Sequence, residues 1–219
     1  MFIGHYALAF GAKRLSPMVS LGTLFLACQF ADLLWPTLLV LGLEVVQIDP
    51  GNTVMTPLNF VSYPYSHSFV ALIGWSALFA LAYRAIRGRH PVAIATIAAL
   101  VFSHYVLDVI THRPDMPITL TAGSRRLGLG LWNHPGPALA IESTMFIIGT
   151  TIYMSATRAR DRVGRIGLYA LIVFIVAIYF AALYGPPPPS PAAIAAAGHL
   201  SWLFVLWAYW VDRHRTINK

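Results

Sequence analysis

Three ionisable residues recur at four-residue intervals in the apolar segment SHYVLDVITH: His104, Asp108 and His112. Residues four apart in an α-helix lie about 40° from one another, so these side chains share one face. At about 1.5 Å per residue the stripe rises about 12 Å. One ion with ligands at about 2 Å can therefore bind His104 and Asp108 but hardly all three. His112 is expected to bind a second ion, to support the first ligands or to contact substrate.

Three further ionisable residues lie in apolar segments nearer the start of the chain: His5 in GHYALAFG, Asp32 in QFADLLWP and His67 in PYSHS. Imidazole nitrogens combined with carboxylate oxygens suit zinc, and also manganese or iron(II). Such an ion lowers the pKa of a bound water toward about 7 and polarises a phosphoryl or carbonyl oxygen. The residue types predict a divalent-metal site, with zinc favoured, and no GxSxG motif offers a serine nucleophile instead.

The composition of the 219-residue chain indicates that lipid is part of its solvent. Hydrophobic residues make up 58% and charged residues 11%, whereas soluble domains carry about 25% charged residues. The net charge of +7 is carried by short basic clusters between apolar runs. This pattern is typical of a membrane protein and argues against nucleic acid as a partner. Cys28 is the one cysteine, so the chain forms no intrachain disulfide.

The apolar runs predict an all-α, polytopic helical bundle that forms one transmembrane domain over residues 1–219. Most runs approach the ~20 residues that cross a bilayer. Six spans are expected, at about 17–46, 67–84, 91–112, 137–157, 165–185 and 192–211. The first run exceeds one span and contains Pro36, which predicts a tilt, a kink or a partial exit from the membrane.

The amino-terminal segment 1–14 is expected to form a short apolar helix that cannot cross the membrane. Its basic residues, Lys13 and Arg14, follow the apolar residues. A secretory signal peptide has the opposite order, so no cleaved signal is expected.

Basic residues predict the orientation of the spans. In a six-span alternation, twelve lysines and arginines, from Lys13 to Lys219, fall on one side and three on the other. This bias places both termini in the cytoplasm. The loops at 47–66, 113–136 and 185–191 are then extracytoplasmic, and GPPPPSP in the last of them predicts a stiff, extended turn.

In this orientation the ionisable residues converge in the outer half of the bilayer, around a cavity reached from outside. His67 opens its helix at the outer end, whereas His112 closes its own helix there. Asp32 lies one turn before Pro36. His5 reaches the same site only if segment 1–12 re-enters the membrane, because Lys13 holds that segment near the cytoplasmic face.

Each candidate also has an interpretation without metal. His104 and Asp108 could form a buried hydrogen-bonded pair, and Asp32 a polar link or a proton-relay carboxylate. His67 could be a solvated residue at the membrane interface. An ionisable group at the centre of a membrane helix nevertheless costs at least ~2.5 kcal/mol without partners, so each residue is a candidate for function.

The segments GHYALAFG, ADLLWP and YSHS, together with the His-x3-Asp helix, resemble the bacterial membrane-bound metal-dependent hydrolase family over roughly the first 115 residues. The resemblance implies location in the bacterial inner membrane. Its matching positions imply five metal ligands: His5, Asp32, His67, His104 and Asp108. The family often has a Pro-Asp-x-Asp-His run, whose second Asp and His are Leu34 and Trp35 here. One metal ion is therefore expected rather than two.

Together these features predict a membrane-embedded metal-dependent hydrolase acting on a lipid-linked or membrane-delivered ester, with a phosphoester favoured. Asp108, as ligand or base, and His112, as proton shuttle, are the catalytic candidates. A transporter or proton relay is an alternative, because the same groups could form an ion path. A non-catalytic membrane subunit is another, either structural or with a haem held by two histidines such as His67 and His104.

Overall fold

The computed structural model describes residues 1–218, and Lys219, counted above among the cytoplasmic basic residues, lies outside this range. Within the described residues, six helical segments are long and apolar enough to cross a membrane, as predicted. The helices are α1 (Ile3–Leu15), α2 (Leu21–Val40), α3 (Pro64–His67), α4 (Phe69–Arg87), α5 (Pro91–Thr111), α6 (Pro135–Ala156), α7 (Leu168–Tyr184), α8 (Pro191–Leu200) and α9 (Trp202–Arg213).

Two of the six spans are not single regular α-helices. A π-helical turn, Val163–Gly167, precedes α7 and completes the span Val163–Tyr184. The last span, Pro191–Arg213, is divided at Ser201 into α8 and α9. The predicted span at about 192–211 is confirmed, and the break within it was not predicted. Many outward-facing side chains on the six spans are large and apolar, including Ile147, Val173 and Leu203, as contact with lipid requires.

The first apolar run does not form one long helix over 17–46. Helix α2 ends at Val40, and Gly42 adopts a positive φ of 70°. The chain then enters β1 (Val45–Ile48), which pairs antiparallel with β2 (Leu58–Ser62). Backbone groups beyond the helix end thus find partners in a hairpin, as buried or lipid-facing backbone must.

Two shorter strand pairs join other connections. β3 (Met116–Pro117) pairs with β4 (Arg126–Leu127) near the β1–β2 hairpin end of the bundle, and β5 (Thr157–Ala159) pairs with β6 (Arg215–Ile217) after α9. Residues 186–190 of GPPPPSP form no helix, as expected.

Helix α1 lies inside the bundle, packed against α2, α5 and α6. Its 13 residues rise about 20 Å, less than the ~30 Å hydrocarbon core. Gly149 of α6 permits the close approach, because a Cβ there would lie 2.2 Å from the carbonyl oxygen of Ala7. His5 was expected to reach the site only if this segment re-enters the membrane, and α1 packs against three of the spanning helices.

The end of α1 is held by a buried ion pair. Nζ of Lys13 donates to Oδ2 of Asp212 at 2.9 Å and to the carbonyl oxygen of Val19 at 2.9 Å. Tyr153 donates its hydroxyl to the other oxygen of Asp212 at 3.0 Å. Lys13 is therefore a buried structural residue as well as one of the basic residues at this end of the bundle.

Candidate metal centre

His104 and Asp108 occupy successive turns of α5, as their spacing predicts. Nδ1 of His104 lies 2.8 Å from the carbonyl oxygen of Cys28. A carbonyl only accepts, so Nδ1 carries a proton and donates it. Nε2 then faces Oδ2 of Asp108 at 3.1 Å, yet it has no hydrogen-bond partner among residues 1–218. A nitrogen lone pair against a carboxylate oxygen needs a cation, either a proton on Nε2 or a metal ion.

Asp32 and His67 complete a compact set of ligand atoms around His104. Oδ1 of Asp32 lies 3.4 Å from Nε2 of His67 and 3.7 Å from Nε2 of His104. Nε2 of His67 lies 3.9 Å from Oδ2 of Asp108. Ligand atoms placed tetrahedrally at about 2.1 Å from zinc lie about 3.4 Å apart. The distances from Asp32 to His67 and His104 are close to this spacing, and Asp108 lies within 3.9 Å of both imidazoles.

His5 reaches the same cluster from α1. Its Nε2 lies 3.1 Å from Oδ1 of Asp108, and its ring stacks on that of His104 with centroids 3.8 Å apart. Oδ1 of Asp108 also pairs with the amino group of Met1. The structure thus brings all five predicted ligand residues together, but His5 lies near Oδ1 of Asp108 whereas His67 lies near Oδ2.

Among the described residues, two groups have the geometry to hold a metal: His5, His104 and Asp108, and Asp32, His67 and His104. They share His104, whose Nδ1 is already bound to Cys28. A single free imidazole nitrogen binds one ion. The free nitrogen of His104 can therefore serve only one of the two groups at a time.

A buried glutamate orients His67, and sequence reasoning missed it. The hydroxyl of Ser66 lies 2.6 Å from Nδ1 of His67 and donates to Oε2 of Glu44 at 2.6 Å. Oε1 of Glu44 accepts the backbone N–H groups of Tyr65 and Ser66. With its proton committed to Glu44, the hydroxyl accepts from Nδ1, which leaves Nε2 of His67 free to bind an ion. The one sign of this role in the sequence is that Glu44 is an acidic residue within the first apolar run, which also contains Asp32.

His67 lies at the end of α3, not at the start of the following span as expected. α3 ends at His67, and the hydroxyl of Ser68 then caps α4 by accepting the backbone N–H of Ala71. Because Ser68 has an extended backbone, His67 and α4 belong to separate helices. His67 is buried, with 3% of its surface exposed, so the interface interpretation does not describe it.

His112 stands apart from both metal-competent groups of the described chain. It follows the last residue of α5 and has an extended backbone. Its Nδ1 lies 3.0 Å from Oδ1 of Asp115, which also accepts the hydroxyl of Tyr63 at 2.8 Å. Burial raises the pKa of Tyr63 well above its usual value, so this hydroxyl stays a donor. Asp115 was not predicted, because in RPDMP it resembles an ordinary loop residue.

A cavity of about 250 Å³ adjoins the ligand cluster and is lined by Asp32, His67, Asp108 and His112. The side chain of Asp32 is 37% exposed, whereas those of His67, His104 and Asp108 are at most 4% exposed. Asp32 therefore forms the accessible edge of the cluster. Met55, Phe60 and Trp132 also line the cavity, from the β1–β2 hairpin and the 3₁₀ turn Leu131–Asn133.

Glu142 is buried and supports α1. Its Oε2 accepts the backbone N–H groups of Phe2 at 2.9 Å and of Gly4 at 3.4 Å. A carboxylate at a helix amino terminus stabilises it through the unpaired N–H groups and the helix dipole. His134 is exposed where α6 begins and is not among the residues that line the cavity.

No family model, curated protein or solved structure matches this chain in comparisons with known proteins. The resemblance to metal-dependent hydrolases therefore stays a prediction, and the function is argued from the geometry of the site.

Proposed function

We propose that this protein is a membrane-embedded metal-dependent hydrolase in which Asp32, His67, His104 and Asp108 bind one divalent cation, with zinc favoured. The observation that carries the proposal is the unpartnered Nε2 of buried His104, which lies among two carboxylates and a second imidazole. Two imidazoles and two carboxylates form a donor set suited to zinc, manganese or iron(II). Such an ion, when bound, acidifies water and polarises a phosphoryl or carbonyl oxygen.

His112 is proposed to move protons at its Nε2. The Nδ1–H group is held by Asp115, which favours the tautomer whose Nε2 is a base. His112 also lines the cavity beside Asp108. Its position is suited to accept a proton during attack on an ester and to return it to the leaving oxygen.

The substrate class proposed is a lipid-linked or membrane-delivered ester, with a phosphoester favoured. Support comes from the position of the ligands: Asp32 lies in the second half of α2, and His104 and Asp108 lie in α5. Both helices are apolar enough to span the bilayer. A substrate that already resides in the membrane reaches this depth without leaving its solvent.

A proton relay is the second candidate function. Contacts between imidazole nitrogens and carboxylate oxygens run from Asp32 through His67 and His104 to Asp108 and His5, at 3.1–3.9 Å. Such a chain of titratable groups can also pass protons. Proton flux in liposomes that persists after chelation of metals would favour the relay over the hydrolase.

Hydrolysis of chromogenic esters tests the proposal. Purified protein is stripped with a chelator and assayed on bis(p-nitrophenyl) phosphate and p-nitrophenyl butyrate, before and after addition of Zn²⁺, Mn²⁺ or Fe²⁺. Metal is expected to restore turnover of at least one probe. His112→Gln should lower kcat by about 10²–10⁴-fold, the usual contribution of general acid–base catalysis, and leave metal content unchanged.

The control for this experiment is His134→Ala, which removes an exposed histidine from the same end of the bundle. It should retain both turnover and metal. Absence of metal-restored hydrolysis of both probes, or full activity in His112→Gln, would overturn the assignment.

A further inference from the structure

The cavity beside the ligand cluster has a second polar region that the proposed reaction does not use. Among the described residues, four buried polar atoms that belong to cavity-lining side chains have no hydrogen-bond partner: Oε1 of Gln29, Nε1 of Trp35, Oε1 of Glu142 and the hydroxyl of Tyr179. At most 8% of the surface of any of these residues is exposed. Buried polar atoms are nearly always paired, so these four indicate a bound polar group.

The hydrogen-bonding types of these atoms define that group. Glu142 and the amide oxygen of Gln29 offer acceptors, Trp35 offers a donor, and the hydroxyl of Tyr179 can do either. Hydroxyl groups donate and accept at once, so a sugar or glycerol satisfies such a mixed set. An anionic group would lie against the carboxylate of Glu142 and is disfavoured there. The region therefore fits an uncharged group that carries hydroxyls.

The same cavity reaches the lipid-facing surface of the bundle. Ala182 and Leu183 of α7, Gly198 of α8 and Ser201 between α8 and α9 line it. Ala182 is exposed and the other three are half-buried. Neighbouring residues on these helices, such as Tyr184 and Leu200, are large and exposed to lipid. The cavity therefore opens toward the membrane between α7 and α8.

The β1–β2 hairpin covers the cavity at the hairpin end of the bundle. Met55 and Phe60 are buried where they line it, and the backbone N–H of Met55 donates to the carbonyl oxygen of Trp132 at 3.2 Å. This contact ties the hairpin to the 3₁₀ turn. A ligand therefore enters the cavity more directly from the membrane, between α7 and α8, than through the β1–β2 hairpin.

We propose that the cavity binds a membrane lipid whose uncharged, hydroxyl-bearing head group contacts Gln29, Trp35, Glu142 and Tyr179. Its acyl chains leave between α7 and α8. The inference rests on the proposed hydrolase function, for which it names the substrate class. The scissile ester or phosphoester bond of this lipid lies toward Asp32. The head group, which carries the hydroxyls, lies on the other side of that bond.

Lipid binding to the full chain, measured by native mass spectrometry in detergent with chelator present, tests this proposal. The probes share dioleoyl chains: phosphatidylglycerol, monoglucosyl diacylglycerol and phosphatidylcholine. Phosphatidylglycerol or the glucolipid should bind at least about fivefold more tightly than phosphatidylcholine, the effect of one net hydrogen bond. Which of the two binds more tightly distinguishes a glycerol from a sugar head group.

Two pairs of variants locate the binding site. Tyr179→Phe removes only a hydroxyl and should weaken the preferred lipid about fivefold, whereas Tyr169→Phe, exposed on the same helix, should not. Ala182→Leu narrows the opening and should weaken all three lipids relative to Ala181→Leu, its exposed neighbour. Equal binding of the three probes, or no effect of Tyr179→Phe, would overturn the proposal.

The His104→Ala variant separates this inference from the proposed reaction. Lipid selectivity that survives in His104→Ala and in metal-free wild type supports the head-group site even if no hydrolysis is found. Hydrolysis without head-group selectivity refutes the head-group site and leaves the hydrolase assignment intact.

Discussion

At the scale of single residues, three histidines follow one pattern in which Nδ1 is held and Nε2 is left free. Nδ1 is bound by the carbonyl oxygen of Cys28 for His104, by the hydroxyl of Ser66 for His67 and by Asp115 for His112. Supporting contacts of this kind select the tautomer and raise the basicity of metal-binding or catalytic imidazoles. In each of these buried imidazoles, the pattern leaves Nε2 available to a ligand or a proton.

The Glu44→Gln variant tests the support of His67. Replacing the carboxylate with an amide weakens its contact with Ser66, so Nδ1 of His67 is less firmly held. Metal affinity should fall about 10–100-fold, as is usual for outer-shell partners. Competition with a chromogenic zinc chelator measures the change.

A matched control is Asp49→Asn, an exposed acidic residue in the same hairpin region. Its affinity for metal should equal that of wild type. Unchanged affinity in Glu44→Gln would contradict a role of this carboxylate in holding the ligand.

The residues of the cluster could be selected from sequence because their types are costly in lipid and because the spacing of His104 and Asp108 in α5 is helical. Their partners Glu44 and Asp115 could not, because each depends on contacts across the fold. The β1–β2 hairpin separates Glu44 from Ser66 in the chain, and its strand pairing brings the two side chains into hydrogen-bonding contact. Asp115 accepts a hydrogen bond from Tyr63 at the same end of the bundle. Periodicity describes one element and carries no information on such contacts.

At the scale of elements, the position of α1 decides whether His5 belongs to the site. The helix is too short to span the membrane, and it is buried by contact with α6 and capped by Glu142. The side chain of Glu142 thus fixes the end of α1 from which His5 projects toward Asp108.

The Gly149→Ala variant tests this packing. The added Cβ would lie 2.2 Å from the carbonyl oxygen of Ala7, so α1 must shift from α6. Overpacking of this kind typically costs about 1–3 kcal/mol, and both the melting temperature and the metal occupancy should fall. Thermal denaturation and elemental analysis measure the two effects.

The control is Gly74→Ala in α4, where a Cβ meets nothing within 4 Å. It tests the same replacement in another helix and should preserve stability and metal. If Gly149→Ala behaves like Gly74→Ala, close packing of α1 is not needed for the site.

Hydropathy predicted all six spans but not their internal breaks. The split at Ser201 lies close to the point where Gly198 contacts Pro36 of α2. A Cβ on Gly198 would lie 2.4 Å from Cγ of Pro36. The end of α2 at Val40 accompanies pairing of β1 with β2. Both features arise from packing between distant segments, whereas average hydropathy reports only the solvent that a segment meets.

At the scale of the whole molecule, the hairpin β1–β2 and the strand pair β5–β6 lie in connections at opposite ends of the spans. The basic residues near β5–β6 favour the cytoplasm for that end. We propose that both termini are cytoplasmic, in a bacterial inner membrane, and that the hairpin is extracytoplasmic.

Cysteine labelling tests the orientation. Val54→Cys lies in the hairpin and Arg89→Cys lies between α4 and α5, and both native residues are exposed, whereas Cys28 is buried. An impermeant maleimide applied to spheroplasts should label Val54→Cys at once and Arg89→Cys only after lysis. The reverse pattern would place the site on the cytoplasmic side.

The metal content of the purified protein tests the central claim most directly. Protein prepared without chelators should contain about one divalent ion per chain, because the two metal-competent groups share the single free nitrogen of His104. The His104→Ala/Asp108→Ala double variant should lose that ion, and His134→Ala should keep it. A wild-type protein without stoichiometric metal, or a double variant that retains it, would contradict the account.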